Sequence, residues 1–246
     1  MQEGFRPVTH TPPVGFSGRL KFHGRMVLDL QILTIYRDLK TMIPSLTGNV
    51  LDVGCGHSPY KHLLVPGTTK YFGIDIVDSA KFDYCNPDIT PFNGEDIPFQ
   101  NDMFNGLVCT EVLEHVQNYQ RLIDEMYRVM RKGGKGIITV PWSARYHYIP
   151  YDFFRYTPAI LKNMFAMFSE VQIRPRGTDF ATIASKVIVL WTRNLLPTTA
   201  RGWILLPLWV VLSPVLLFLV ALAHLCLTLN LGGEDDPLGY TIVVIK

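Results

Sequence analysis

Three short runs hold the residues whose types and spacing suit chemistry. The first is Val50-Leu51-Asp52-Val53-Gly54-Cys55-Gly56, an apolar run broken by one acid and closed by two glycines. Gly54 and Gly56 let a backbone turn sharply and lie close to a ligand, because neither has a Cβ to clash. A buried strand leading into such a turn is where open α/β sheets bind nucleotide-like cofactors, although paired glycines also mark ordinary buried turns. Asp75 belongs to the same chemistry. It follows the apolar run Tyr71-Phe72-Gly73-Ile74, precedes Ile76, and lies 19 residues past Gly56. That is about the spacing at which a second-strand carboxylate reaches the two hydroxyls of a ribose, and a carboxylate can accept from both.

The second run is Glu111-Val112-Leu113-Glu114-His115. At a helix start, residues three and four apart share a face, so two carboxylates and an imidazole could hold a hard divalent ion. The same residues equally serve structure or line a pocket, and no metal is assigned. The third run is the aromatic tract Trp142 to Tyr156, with His147, Tyr148, Tyr151, Phe153, Phe154, Arg155 and Tyr156. His147 is the first candidate for a base that takes a proton from an acceptor, because its pKa is tunable around neutrality. Tyr151 and Asp152 stand behind it, and the alternative is that His147 simply packs among the aromatics.

These groups need a scaffold, and apolar periodicity supplies one. Val50–Val53, Tyr71–Ile76, Leu107-Val108-Cys109-Thr110 and Gly136-Ile137-Ile138-Thr139-Val140-Pro141 read as buried strands. Between them, Tyr119–Met130 places Leu122, Ile123, Met126 and Val129 on one helical face, with Gly133-Gly134 as its expected cap. Before the first strand, Val27, Leu30, Ile35, Leu39 and Met42 predict a helix from about His23 to Ile43, ended by Pro44. Thr157 and Pro158 open a helix running to about Phe168, and Glu170–Arg174 is a short strand. Strands alternating with helices indicate an α/β, doubly wound parallel sheet. Residues 1–22, with Pro7, Pro12 and Pro13, read as a flexible arm.

Bulk composition narrows the function. A net charge of +2 with no long Lys/Arg run gives no electrostatic footprint for nucleic acid. Cys55, Cys85, Cys109 and Cys226 are scattered, without a CxxC pair. That pattern suits buried free thiols in a reducing compartment better than a disulfide framework or a zinc site. The first residues lack the apolar stretch of a signal peptide.

Four stretches in order resemble the class I S-adenosylmethionine-dependent methyltransferases of the small-molecule, type 11 kind. They are Val50–Gly56; Tyr71–Ile76; Ile97-Pro98-Phe99, Phe104 and Leu107-Val108 with Glu111–His115; and Arg131-Lys132-Gly133-Gly134 before Ile137–Pro141. The resemblance implies a Rossmann-like, seven-stranded sheet whose last strand is antiparallel, with S-adenosylmethionine as cofactor. Gly54 and Gly56 would pass beneath its methionine part, Asp75 would hold the ribose hydroxyls, Asp52, Cys55 and Ile76 would also belong to the cofactor site, and Cys109, Thr110 and Glu111 would line the pocket. Asn93 stands where the family often has an acid near the adenine. The tract beyond Pro141 resembles one in relatives that accompany surface-glycan biosynthesis. It implies an O-directed reaction on a small-molecule or lipid-linked acceptor, with a quinone-like acceptor or a non-catalytic, cofactor-binding partner subunit as alternatives.

The mean hydropathy of +0.17 is high, and most of the excess lies near the end of the sequence. From Gly202 to Gly233 there is no Asp, Glu, Lys or Arg. Pro207 and Pro214 are expected to interrupt this stretch, leaving Val215–Leu231 as its cleanest helix. The whole stretch from Trp203 to Leu231, if helical, is long enough for one bilayer crossing. Yet Gly239–Ile245 reads as a strand, and in the resembled fold the final strand completes the sheet, so a simple span would strand it on the wrong side. The expectation is therefore a methyltransferase domain of residues 23–177 plus 238–246, with residues 178–237 inserted before the last strand. Two helices, the first about Phe180–Leu195, would form a hairpin that associates with a membrane surface through residues 180–236, both ends cytoplasmic.

Overall fold

A computed structural model of the chain describes residues 9–76 and 89–246. Cys85, expected to be a buried thiol, and the first eight residues of the expected arm lie outside the described residues. The run that ends in the two glycines is strand β1 (Gly48–Val53), and its last four residues are buried. On one side it pairs in parallel with β2 (Thr69–Ile76), which pairs with β3 (Thr90–Phe92). On the other it pairs in parallel with β4 (Phe104–Thr110), and β4 with β5 (Met130–Pro141). The sheet is completed by β7 (Gly239–Ile245), antiparallel to both β5 and β6 (Glu170–Arg176). The order is β3-β2-β1-β4-β5-β7-β6, seven strands, with the strand order reversing between β1 and β4. The crevice beyond the carboxyl ends of strands at such a reversal is where open α/β sheets place ligands.

Two helices precede the sheet where one was expected. α1 (Gly15–Leu28) begins inside the stretch read as an arm, and α2 (Leu30–Met42) follows after a break at Asp29. The break has a local cause: Asp29 leaves helical backbone, and its carboxylate accepts from the Ile32 amide at 3.2 Å, capping the second helix. α1 and α2 cover one face of the sheet through Phe22, Met26, Ile35 and Leu39, against Val50, Val108 and Ile137. α3 (Tyr119–Val129) covers the other face with Leu122, Ile123, Met126 and Val129, as its spacing predicts.

The cap of α3 differs from expectation. Met130 ends the helix, and Gly133 and Gly134 lie within β5. Gly133, at φ +75°, donates to the Lys246 carbonyl at 2.7 Å, and the Lys246 amide returns a bond to Gly134 at 3.0 Å. The pair turns the backbone so that β5 meets the strand beside it. α4 (Pro158–Met164) starts at the Thr157 cap but stops short of Phe168, and β6 runs on to Arg176.

Between β6 and β7 stand α5 (Asp179–Leu195) and α6 (Ala200–Leu229), packed as a hairpin. Pro207 and Pro214 do not interrupt α6, which continues through both for 30 residues. A proline removes a donor without ending an apolar helix where neighbouring groups take up the freed carbonyls. Beside Pro214, Trp191 Nε1 of α5 donates to Ser213 Oγ at 3.1 Å, and that hydroxyl donates to the Trp209 carbonyl at 2.8 Å, which ties the two helices together there. The base of the hairpin packs on Leu30 and Leu238, while only 6% of the most apolar stretch of α6 is buried.

Candidate active site

The loop after β1 is shaped by what a side chain would strike. Gly54 has φ +65°, and a Cβ there would lie 2.5 Å from Val112. Gly56 has φ +52°, and a Cβ there would meet nothing within 4 Å, so the loop faces open space. Asp75 at the end of β2 is buried, and its carboxylate accepts from the Gly56 amide at 2.7 Å and the Ile76 amide at 2.7 Å. The acid thus reaches the glycine loop. A carboxylate beside backbone amides over an open glycine suits a ribose diol and an amino-acid moiety, so these residues fit S-adenosylmethionine.

Asp52 is buried beneath this loop. Tyr71 donates to its Oδ2 at 2.9 Å and in turn lies 2.7 Å from Ser58 Oγ. Burial pushes the Asp52 carboxyl up to about 7, and the nearby Asp75 adds to the rise against the Tyr71 hydrogen bond. Cys55 turns its thiol into the sheet, where a Cβ on Gly73 would lie 2.9 Å from the sulfur; its amide donates to the Ile74 carbonyl. Burial pushes that thiol up, so Cys55 contributes backbone rather than sulfur chemistry.

At the end of β4 the expected pocket residues separate. Cys109 belongs to the buried core and does not line a pocket with its side chain. Thr110 is half-buried, and its hydroxyl has no partner among the described residues. Glu111 takes a left-handed conformation, φ +53°, and its carboxylate meets Arg176 at 2.7 Å. This removes Glu111 from Glu114 and His115, which follow in a short 3₁₀ turn, Leu113–His115. The helix start imagined for Glu111, Glu114 and His115 is therefore absent. The structure instead brings Glu114, His115 and His147 together, with one ligand atom from each within 4.8 Å of the others. Burial, with the Glu111 charge next, raises the Glu114 carboxyl; neither of its oxygens has a hydrogen-bond partner among the described residues, and His115 Nε2 lies 3.7 Å from Oε1. His115 Nδ1 lies 2.6 Å from the Tyr151 carbonyl, and burial lowers its pKa to about 4.

His147 does more than pack among aromatics. Its Nδ1 lies 3.0 Å from Asp152 Oδ2 and 2.9 Å from the Arg145 carbonyl, and its amide donates to the same Asp152 oxygen at 3.0 Å. Arg155 donates to both Asp152 oxygens, at 2.6 and 2.8 Å. Against burial, which would raise it, these bonds from Arg155 and His147 hold the Asp152 carboxyl well below the usual range. Two acceptors at Nδ1 fix the proton there, so Nε2 is the basic nitrogen. Phe154 and Tyr156 play another part, packing with Tyr119 while the Tyr156 hydroxyl donates to the Leu113 carbonyl at 2.8 Å. One turn thus joins both halves of the site: Val112 walls the Gly54 loop, and His115, on the same turn, packs at 5.0 Å against the His147 ring.

Arg176 was missed in the sequence. It is fully buried at the end of β6, donates to Glu111 and to the Val140 carbonyl at 3.1 Å, and fits because a Cβ on Gly239 would overlap it. A lone arginine before a glycine in an edge strand carries no signal of this; only strand pairing places it under Glu111. Asn93 bonds within its own turn, where Oδ1 accepts from the Glu95 and Asp96 amides at 2.9 and 2.7 Å and Nδ2 donates to Asp96 at 2.9 Å. The helical hairpin touches the tract directly: Lys186 of α5 donates to the Ser143 carbonyl at 2.6 Å, and Trp142 Nε1 to Asp236 at 3.0 Å.

Residues 51–138 match the family described as the methyltransferase domain. Residues 51–138 are a class I methyltransferase domain. An uncharacterized protein of Methanocaldococcus jannaschii is 40% identical over 104 residues, 42% of this chain and 48% of that protein. A protein of Mycolicibacterium smegmatis, named a probable S-adenosylmethionine-dependent methyltransferase, is 26% identical over 97 residues, 38% of each chain. The chain thus spans less than half the length of these curated relatives. Among solved structures, a SAM-dependent methyltransferase from Archaeoglobus fulgidus superposes with a TM-score of 0.53 at 16% identity, over 92% of this chain and 99% of that one. A Haemonchus contortus phosphoethanolamine N-methyltransferase, solved with S-adenosylhomocysteine, gives a TM-score of 0.50 at 14% identity, over 88% of this chain and 52% of that one. At these identities the two structures share the fold with this methyltransferase domain.

Proposed function

We propose that the protein is a methyltransferase that methylates an oxygen of a small molecule presented at a membrane, such as a lipid-linked glycan or lipid intermediate. The observation that carries this is the continuity of three parts: the loop after β1, the His147–Asp152–Arg155 chain linked to it through the Val112–His115 turn, and an apolar hairpin bonded to the same tract. Bound over Gly56, S-adenosylmethionine supplies a methyl group already activated on a sulfonium. The chain then has two tasks. Asp75 and the loop amides orient the cofactor, and alignment of the acceptor lowers the barrier. His147 Nε2 takes the proton of an acceptor hydroxyl, while Asp152 holds the ring's orientation and tautomer and stabilises the imidazolium that forms.

The membrane part rests on α6. Its 30 residues reach about 45 Å, its apolar surface runs all round, and little of it is covered. A helix of that kind belongs in a core or in lipid. The hairpin leaves from β6 and returns to β7 of one sheet, so both of its ends stay with the enzyme, which we assign to the cytoplasmic side.

Titration calorimetry with S-adenosylmethionine tests the cofactor site, and Asp75→Ala should weaken binding at least tenfold. Unchanged affinity in that variant would reject it. Flotation with liposomes, with and without residues 180–236, tests the membrane part; undiminished binding after deletion would reject that.

A further inference from the structure

Away from the site, α1, α2 and the last turns of α6 enclose a groove of about 340 Å³. Met26 and Leu33 give it an apolar floor, Arg37 and Lys40 give it a cationic rim, and His23 and His224 line it beside them. Arg37 has no hydrogen-bond or carboxylate partner among the described residues, and Lys40 reaches only the Tyr36 ring, at 6.0 Å. The two acids of this helix pair are engaged elsewhere. Asp29 takes the Arg25 guanidinium at 3.0 Å, and Asp38 accepts from Thr241. Among the described residues, Arg37 and Lys40 therefore have no carboxylate paired with them.

His224 ties the groove to α6, since its Nε2 lies 2.9 Å from the Val27 carbonyl. The groove thus opens where the base of the apolar hairpin meets α1. On α1, Phe16 and Leu20 are 85% and 65% exposed, with Arg19 and Lys21 between and beside them. Apolar side chains interleaved with cations are the pattern of a helix lying at a headgroup layer.

We infer that this groove binds the headgroup phosphate of an anionic phospholipid, whose acyl chains run out along the exposed faces of α1 and α6. The cations and the apolar floor together select a lipid over a free anion, because a phosphate alone leaves the floor uncovered. The inference rests on the membrane reading for the supply of lipid, yet the groove can be tested without a bilayer.

The test uses the full chain, purified in a neutral detergent. Calorimetry with short-chain phosphatidylglycerol should give saturable binding, and with short-chain phosphatidylcholine little. Arg37→Gln/Lys40→Gln should lose about 25-fold, since each basic residue near a lipid phosphate contributes roughly fivefold. Lys132→Gln/Lys162→Gln removes the same charge from exposed positions elsewhere and should keep wild-type affinity. Equal losses in the two doubles would mean diffuse charge, and no loss in the first would mean no site; either overturns the inference. Inorganic phosphate binding as tightly as the lipid would also overturn it in favour of a free-anion site. Cofactor affinity and circular dichroism of each variant report folding. In parallel, flotation on phosphatidylcholine vesicles, with and without a minority of phosphatidylglycerol, separates the two readings. Failure to float on either rejects the membrane reading, while the calorimetry still decides the groove.

Discussion

Asp52 offers a test of the site's electrostatics by stability alone. Its carboxyl is buried under the cofactor loop, and burial raises it from 3.8 to about 7. The folded protein therefore holds a proton on Asp52 over a range where the unfolded chain has released it. The unfolded state binds fewer protons across that range, so stability falls as pH rises from about 4 and levels off above about 7. At about 1.36 kcal/mol per pH unit, the total is on the order of 4 kcal/mol, of which about 3 kcal/mol falls between about pH 5 and about pH 8. Asp52→Asn keeps an oxygen for the Tyr71 hydroxyl and removes the titration. Urea unfolding of both proteins at the two pH values, in the absence of cofactor, isolates the residue by difference. The variant should gain on wild type by about 3 kcal/mol from acid to alkaline pH. A difference that stays constant would mean Asp52 ionises normally, and the reasoning from its burial would be refuted.

Three further outcomes follow from the geometry. His147→Gln should lower kcat by about 10² to 10⁴ while leaving cofactor affinity intact, and Asp152→Asn should lower it less while altering the pH–rate profile; full activity of His147→Gln would remove it as the base. Arg176→Met leaves Glu111 facing a buried, unpaired position and should cost about 3 to 5 kcal/mol. Arg176→Met/Glu111→Met should recover most of that loss, and denaturant melts showing equal losses in single and double variants would dismiss the pair. Asp75→Asn should weaken cofactor binding less than Asp75→Ala, because an amide still accepts one hydrogen bond; calorimetry ranks the two.

Much of the scaffold was legible because its signals are local. An apolar run can become a buried strand wherever it sits, and Thr157-Pro158 caps a helix through contacts within one turn. The face of α3 and the glycine turn after β1 follow the same logic. Local competition explains what periodicity left out as well: the Asp29 carboxylate splits one expected helix into two, and Asn93 Oδ1 takes the amides of its own turn. Periodicity carries no sign of either, because a side chain choosing a nearby amide leaves the apolar pattern unchanged.

The sequence by itself determined that the glycine loop meets Asp75. Gly54 and Gly56 follow β1 and Asp75 lies in β2, its neighbour in both chain and sheet, so a fixed spacing suffices to bring them together. Tertiary structure alone decided the other half of the site. Glu111 leaves Glu114 for Arg176, 65 residues away in the chain, because the pairing of β6, β7 and β5 buries that guanidinium under the end of β4. His147 gains Asp152, Arg155 and the neighbouring His115 only once the tract folds back over the turn after β4. The physical reason is the same in each case: burial makes a lone charge costly, and which partner relieves it depends on strands and turns that no local pattern encodes.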